Sequence, residues 1–395
     1  MSKKSLRRAA IATASAGALA VGSFALATAP ANADETAPTG NVLGVENSDK
    51  IANEYVVVLN SELSTMDAEA YDADITSQWD FMNGFLAEMN HAEAEKMAAD
   101  PDVKFVEQNA TVTIQEGDTQ PNPPSWGLDR VDQEDLPLDD EYTYPNTASD
   151  VTAYILDTGV NLTHNDFEGR MVDGFDAIDE GGDADDCQGH GTHVAGTVAG
   201  TDHGIAKGAS VSPVRVLDCA GGGSYDGIID GIEWATEDAD GASVANMSLG
   251  GPSDASLNEA VDASSEAGLT HVVAAGNSSD DACNYSPAGA DTAITVGSTA
   301  DDDSRSTFSS LGECVDIFAP GTDIMSAHIG SDDATTTMSG TSMASPHVAG
   351  AAALFLQDNP DASPEDVRDH LTSTASEDKI SDPGTGSPNL LLFVG

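Results

Sequence analysis

The sequence predicts an α/β protein built on a doubly wound, mostly parallel sheet with helices on both faces, preceded by a small α+β unit. Three observations carry that reading. Beyond residue 150, short apolar runs such as Val151–Leu156, Val244–Met247 and His271–Ala275 alternate with segments of helical periodicity. That is the pattern of a parallel sheet covered on both faces. Before residue 115 the strand candidates are fewer and surround one helical stripe. Between the two regions, Gln115–Ser125 holds Gly117, Pro121, Pro123 and Pro124, the composition of an exposed linker.

Taken in order, residues 34–53 are small and polar and are expected to be poorly ordered. Glu54–Leu59 reads as a strand. Ile75, Trp79, Met82, Leu86 and Met89 recur at helical spacing and are expected to pack one helix against the unit's own sheet. Val103–Val106 and Thr111–Ile114 read as two more strands. In the second region the strand Val151–Leu156 runs into Asp157. His190–Ala199 is a short helix candidate, and Val211–Leu217 is a strand interrupted by Pro213. Tyr225–Ala235 places Ile228, Ile232 and Ala235 on one helical face. Leu257, Ala260, Val261 and Ser264 mark another helix, ended by Gly268. Ala293–Val296 is a further strand. The small-residue turn Gly340–Ser342 runs into Val348–Leu356, an apolar segment long enough for a buried helix. Ser363-Pro364-Glu365-Asp366 opens the last helix with a cap, a first-turn proline and acids at the positive end of the dipole.

The charge is unusual. The 395 residues carry 68 acids against 14 Lys plus Arg, a formal net charge of −54 at pH 7. Lys3, Lys4, Arg7 and Arg8 all precede the first acid, Asp34, so the rest of the chain is more acidic still. Nucleic acid and anionic membrane surfaces are poor partners for such a protein. The acids are interleaved with apolar residues, which argues for a folded acidic surface rather than a disordered tail. Residues 1–33 read as a secretory signal: a basic start, an Ala-rich stretch from Ala9 to Ala29, and a small-residue cleavage site at Ala31-Asn32-Ala33. Ala, Gly, Ser and Thr dominate that stretch, which argues against a membrane anchor. The expected product is secreted, extracellular, monomeric and free of the membrane once the signal is removed. Cys187, Cys219, Cys283 and Cys314 make an even set that favours disulfides in an exported chain. Spacing alone leaves three pairings open.

Functional groups of doubly wound sheets gather at the carboxyl ends of strands. Asp157 lies at such an end. His190 sits in Gly189-His190-Gly191-Thr192-His193, where glycines let backbone approach closely. Ser342 opens the last buried helix, where unpaired N–H groups favour a developing negative charge. Acid, imidazole and hydroxyl are what nucleophilic acyl transfer needs, because the hydroxyl is weak until a base takes its proton and the base needs an anion to fix its tautomer. Asn277, after Ala274-Ala275-Gly276, adds an amide that could serve an oxyanion. Other readings exist for each. Ser342 could be a helix cap, Asp157 a turn residue, and His190 with His193 a metal pair, although no Glu stands at zinc-protease spacing.

Asp157-Thr158-Gly159, His190-Gly191-Thr192-His193-Val194-Ala195-Gly196, Ala275-Gly276-Asn277 and Gly340-Thr341-Ser342-Met343-Ala344, in that order, resemble the signatures of the subtilisin-like serine proteases. α/β-Hydrolases run Ser, Asp, His, and no Gly-x-Ser-x-Gly surrounds Ser342. Trp126–Gln133 and the cysteine positions resemble the proteinase K and aqualysin branch. The resemblance covers residues 118–395, the implied peptidase domain. It makes residues 34–117 the propeptide, a ferredoxin-like inhibitor and intramolecular chaperone best matched over 54–114, after the 1–33 signal. It implies a zymogen that processes itself near Asp118, with peptides and proteins as substrates and its own propeptide as inhibitor. Ser342 would be the nucleophile, His190 the general base and then acid, Asp157 its orienting carboxylate, and Asn277 with the Ser342 N–H the oxyanion hole. Gly221-Gly222-Gly223 and Ser248-Leu249-Gly250 would sandwich an extended substrate. Leu249, Ala274, Ala275 and Gly276 would line an uncharged P1 pocket for apolar or aromatic side chains. Cys187 would pair with Cys219, and Cys283 with Cys314. Val194 stands where the branch often has a free cysteine, so thiol sensitivity of that kind is not expected.

The resemblance implies structural calcium and no catalytic cofactor. One implied site combines the Asp316 carboxylate with the carbonyls of Asp291 and Ala293. A second uses Asp129, Asp132 and Gln133, with Asp139 and Glu141 at hand. The acidity also predicts a salt-stabilised, halophilic fold. Self-repulsion opposes the compact state, and the screening length falls from about 10 Å at 0.1 M salt to about 3 Å at 1 M. The half-life of thermal inactivation is expected to rise between 0.05 M and 3 M NaCl with calcium saturating. A flat response would show that the charge is no burden on stability.

Overall fold

The computed structural model describes residues 40–45, 50–60, 73–110, 118–179 and 181–395. The signal, the expected strand Thr111–Ile114 and the residues just before Asp118 lie outside the described residues. The chain divides into two compact units, Met1–Ile114 and Gln115–Gly395.

The first unit contains β1 (Val42–Leu43), β2 (Lys50–Leu59), β3 (Asp74–Trp79), β4 (Gly84–Glu88), α1 (His91–Ala98) and β5 (Val103–Ala110). The sheet order is β1-β5-β2-β4-β3. The last four are antiparallel neighbours in a ferredoxin-like order, and β1 joins β5 in parallel. Two expectations are corrected here. Val42–Leu43 and Lys50–Asn53, expected to be poorly ordered, lie in strands paired with β5. The helical stripe from Ile75 to Met89 is instead a strand, a short 3₁₀ turn at Asp80–Met82 and a second strand. Asn83, at φ 53°, turns the chain just ahead of Gly84. The period that packs is two: Phe85, Ala87 and Met89 are buried, whereas Ile75 lies on an edge strand at 41% exposure. Turn chemistry at Asn83-Gly84 decided against the 3.6-residue spacing.

In the second unit, β6 (Asp118–Pro121) pairs with β7 (Glu141–Tyr144), and α2 (Trp126–Val131) lies between them in sequence. Residues 118–121 of the expected linker are thus part of a small antiparallel pair. Next come β8 (Thr152–Asp157), β9 (Phe175–Asp176), α3 (His190–Ala199), β10 (Ser210–Arg215), α4 (Tyr225–Asp238) and β11 (Ser243–Met247). β12 (Gly251–Pro252), α5 (Ala255–Glu266), β13 (Thr270–Ala274), β14 (Tyr285–Ser286), β15 (Ile294–Thr299) and β16 (Ile317–Pro320) follow. The chain ends with β17 (Ile324–Ala327), β18 (Thr335–Met338), α6 (Thr341–Asp358), α7 (Pro364–Thr374), β19 (Ser376–Glu377) and β20 (Leu390–Leu391).

Nine strands form one sheet in the order β19-β20-β16-β15-β13-β11-β8-β10-β9. All its neighbours are parallel except β19 and β20. Alternate residues of each strand feed two cores. Ala153, Ile155, Val244 and Val272 pack with α3 and α6. Tyr154, Leu156, Ala245 and Val273 pack with α4 and α5. Helices therefore cover both faces, as expected. Pro213 is tolerated in β10 because pairing with β9 begins only at Val214. Gly268, at φ 111°, follows α5, and Ser363 and Asp366 close a reciprocal capping box on α7. After β8 the chain passes to the edge strand β9, comes back to β10 beside β8, then crosses to place β11 on the other side of β8. That reversal opens a crevice at the carboxyl ends of β8 and β11.

Candidate active site

Asp157 is the last residue of β8 and is fully buried. Its Oδ1 accepts hydrogen bonds from Thr158 N and from His190 Nδ1, both at 2.8 Å. His190 is the first residue of α3, where Gly189 at φ 107° turns the chain into the helix. Burial alone would lower the imidazole pKa. The charge and hydrogen bond of Asp157, helped by Asp186, outweigh that and raise it. His193 does not join His190 as a metal pair: its Nε2 donates to the Ile324 carbonyl at 3.0 Å, and burial pushes its pKa down to about 3.

Ser342 lies at the second position of α6, after Gly340, which precedes the helix, and Thr341, its first residue. It is not a cap. Its Oγ donates to the Ser248 carbonyl at 3.2 Å, and among the described residues it has no hydrogen bond to His190. Ser248 returns a bond to the Ser342 carbonyl at 2.8 Å, and Ser345 donates to Asn246 Oδ1 at 2.7 Å. These contacts bolt the first turn of α6 to the end of β11.

Asn277 follows β13 through Gly276, which has φ 103°. Its Oδ1 accepts from Thr341 N at 2.8 Å and Thr341 Oγ1 at 3.0 Å. That fixes the amide with its NH₂ left to donate elsewhere. A Cβ at Gly340 would lie 3.5 Å from both Asn277 Nδ2 and Ser342 N, so the two nitrogens border the same space beside the serine.

The substrate-binding residues of the expectation line two adjoining cavities. One, of about 890 Å³, runs past His190 between Gly221–Gly223 and Ser248–Gly250. The other, of about 250 Å³, is bounded by Leu249, Ala274, Ala275, Gly276, Asn277 and Ser342. Ser248–Gly250 leaves β11 without a strand partner. Gly221 and Gly222 are turned onto Asp218, through its carbonyl at 2.9 Å and its Oδ1 at 3.0 Å. Tyr225, not singled out from the sequence, spans the rims with a 2.8 Å bond to the Pro252 carbonyl. Nor was Thr341, whose hydroxyl orients Asn277. The bridges join Cys187 to Cys219 and Cys283 to Cys314, the pairing the resemblance implies.

The two implied calcium sites fare differently. At the first, the Asp291 carbonyl already accepts from Arg368 Nη1 at 3.0 Å. Asp316 Oδ2 accepts from Thr295 N at 2.8 Å, and each of these oxygens keeps a further lone pair. At the second, Asp132 Oδ1 and Gln133 Oε1 are buried acceptors without a partner. The buried Asp129 carboxylate accepts from the N–H groups of Asp139 and Asp140. Among the described residues no ready cluster of three His, Cys, Asp or Glu side chains is arranged around a metal. The donors here are mixed carboxylate and amide oxygens, which suit calcium, and two orphaned buried oxygens need a cation or water.

Burial, then the charges of Asp139 and Asp129, push the Asp132 pKa up to about 6 from an ordinary 3.8. A raised carboxyl favours folding below pH 3.8, and that contribution is lost as pH rises through about 6. Calcium that binds only the folded, ionised form reverses the loss. At pH 8, saturating calcium is expected to raise the melting temperature by about 5 °C. Asp132→Asn should erase most of that gain and melt higher than the parent in EDTA. A calcium response undiminished in Asp132→Asn would remove this residue from ion binding.

Among the described residues no helix is long and apolar enough to cross a membrane. Residues 148–389 match the model of the subtilase family, and residues 45–115 that of peptidase inhibitor I9. The chain is 48% identical over 316 residues to an extracellular serine proteinase of Thermus sp. (strain Rt41A), covering 79% of this chain and 76% of that protein. It is 46% identical over 327 residues to alkaline serine exoprotease A of Vibrio alginolyticus, covering 82% of this chain and 61% of that one. A solved cold adapted subtilisin-like serine proteinase superposes with a TM-score of 0.66 at 51% identity, over 68% of this chain and 98% of that one. With the subtilase model matched over more than half of its length, the chain belongs to the subtilase family of serine endopeptidases and carries a segment matching peptidase inhibitor I9 ahead of its peptidase domain.

Proposed function

We propose that this protein is a secreted endopeptidase, made as a zymogen, that cleaves peptide bonds through an acyl-enzyme formed on Ser342. The observation that carries the reading is the space beside a serine that Asn277 Nδ2 and Ser342 N both border, with His190 held by Asp157. Substrate binding turns the Ser342 hydroxyl from the Ser248 carbonyl toward His190 Nε2. Nε2 takes the proton as Oγ attacks the scissile carbonyl carbon. The oxyanion is met by the two N–H donors, which act where charge develops. His190, now imidazolium and steadied by Asp157, gives its proton to the leaving amine, and water repeats the sequence to free the acid.

Ser248–Gly250 and Gly221–Gly223 present backbone to an extended peptide, so main-chain bonds supply affinity and pockets supply selectivity. The 250 Å³ pocket has small walls at Ala274, Ala275 and Gly276 and an apolar one at Leu249. It suits apolar or aromatic P1 residues. Mature enzyme begins near Asp118, after the I9 segment has served as chaperone and inhibitor. The Asp129, Asp132 and Gln133 oxygens would hold calcium for stability, with no part in the chemistry.

The test is labelling with a fluorophosphonate probe, then a cleavage profile on a mixed peptide library. Modification confined to Ser342, with cleavage after apolar or aromatic residues, is the expected result. An unlabelled Ser342 in enzyme that still cleaves would overturn the assignment, and a charged P1 preference would overturn the pocket reading.

A further inference from the structure

Asp186 is a buried carboxylate, 6% exposed, in the loop just before α3. It accepts five hydrogen bonds. Oδ1 receives Thr158 Oγ1 at 2.9 Å, Gln188 N at 2.8 Å and Gly189 N at 2.9 Å. Oδ2 receives Thr192 N at 3.0 Å and Thr192 Oγ1 at 2.6 Å. Thr158 Oγ1 in turn accepts from Gly191 N at 2.9 Å. Thr158 adjoins Asp157, while Gly189 and Gly191 flank His190. One carboxylate thus ties the residue after the orienting acid to the turn that carries the base. Gln188 completes the brace through a 2.8 Å bond from His190 N to its Oε1.

No cation pairs with Asp186 among the described residues. The nearby Arg215 guanidinium is engaged by Asp176, Asp179 and the sulfurs of Cys187 and Cys219. A buried, hydrogen-bonded but uncompensated carboxylate is costly to keep where only packing is at stake.

We propose that Asp186 is a positioning residue for proton transfer at His190: it locks the first turn of α3 to the end of β8 and adds a second negative charge near the imidazolium. The charged and titratable groups facing His190 are Asp157 from β8, Asp186 from the preceding loop, His193 from α3 and His328 from the β17–β18 connection. A Cβ at Gly189 would collide with His328 Nε2. His193 is held neutral by burial, and the Asp186 charge acts to raise the His190 pKa.

The test uses active-site-titrated enzyme and a small peptide substrate. Asp186→Asn is expected to lower kcat by roughly tenfold to a hundredfold, the scale of loss when a catalytic group is misplaced by up to about 1 Å, with KM within about twofold. The acidic limb of kcat/KM should move to lower pH by about half a unit, because a charge that favours imidazolium is gone. Thr158→Val severs the brace but keeps both carboxylates. It should lower kcat by about fivefold or more and leave the limb in place. A merely structural role would change the titrated fraction of active enzyme and the melting temperature, but not the limb. Parental kcat in folded Asp186→Asn, or a lowered kcat with an unmoved limb, overturns the proposal. Should Asp186→Asn fail to accumulate, Thr158→Val decides alone, and parental kcat in that variant overturns it.

Discussion

Ser342→Ala is expected to lower kcat by about a millionfold and to leave the full chain uncleaved between its inhibitor and peptidase segments. The magnitude is that established for a subtilisin nucleophile and is carried over to this relative. The hydroxyl caps nothing, since Gly340 precedes the helix and Ser342 lies at its second position. Among the described residues its one hydrogen bond, to Ser248 O, is long at 3.2 Å. Alanine favours the helix, so the fold should survive and the loss will be chemical. The measurement is the mass and N-terminal sequence of the product in a host free of other proteases. Normal mature protein beginning near Asp118 would show that another enzyme makes the cut.

Asn277→Ala should lower kcat by roughly 100- to 1,000-fold with KM little changed. That range comes from the oxyanion asparagine of subtilisin, the handiest precedent for one lost donor. Here the expectation rests on the fixed amide, whose Oδ1 is held twice by Thr341. A donor that is preorganised costs nothing to align as charge develops, so its removal is felt in the transition state and not in the ground state. Initial rates on active-site-titrated variant will separate the two constants. Should KM rise while kcat holds, Asn277 would be a binding residue and the oxyanion hole would need another donor.

Much of this site was legible because its parts sit on the strongest sequence signals. The helix His190–Ala199 and the buried helix after Ser342 were announced by glycines and apolar runs, and Asp157 by the end of an apolar strand. What escaped notice depends on contacts that have no period. Asp186 is one acid among 68, and only folding reveals the backbone donors gathered around it. Arg368 could not be read as a rival to a cation from its place in α7 alone. The stripe from Ile75 to Met89 misled because two periods overlap there, and only the turn at Asn83-Gly84 separates them. The disulfides were open to three pairings on spacing and were settled by likeness, then formed as such.

The reversal of strand order between β8 and β11 also sets when this protein becomes dangerous. His190 and Asp157 are 33 residues apart, but Ser342 must be clasped by Ser248 from 94 residues away, and α6 has to slot beneath the finished sheet before that clasp exists. A chain emerging from its N-terminal end therefore has its acid and base synthesised long before the nucleophile. Proteolytic capacity therefore needs nearly the whole chain, and the segment that matches an inhibitor is made well before Ser342.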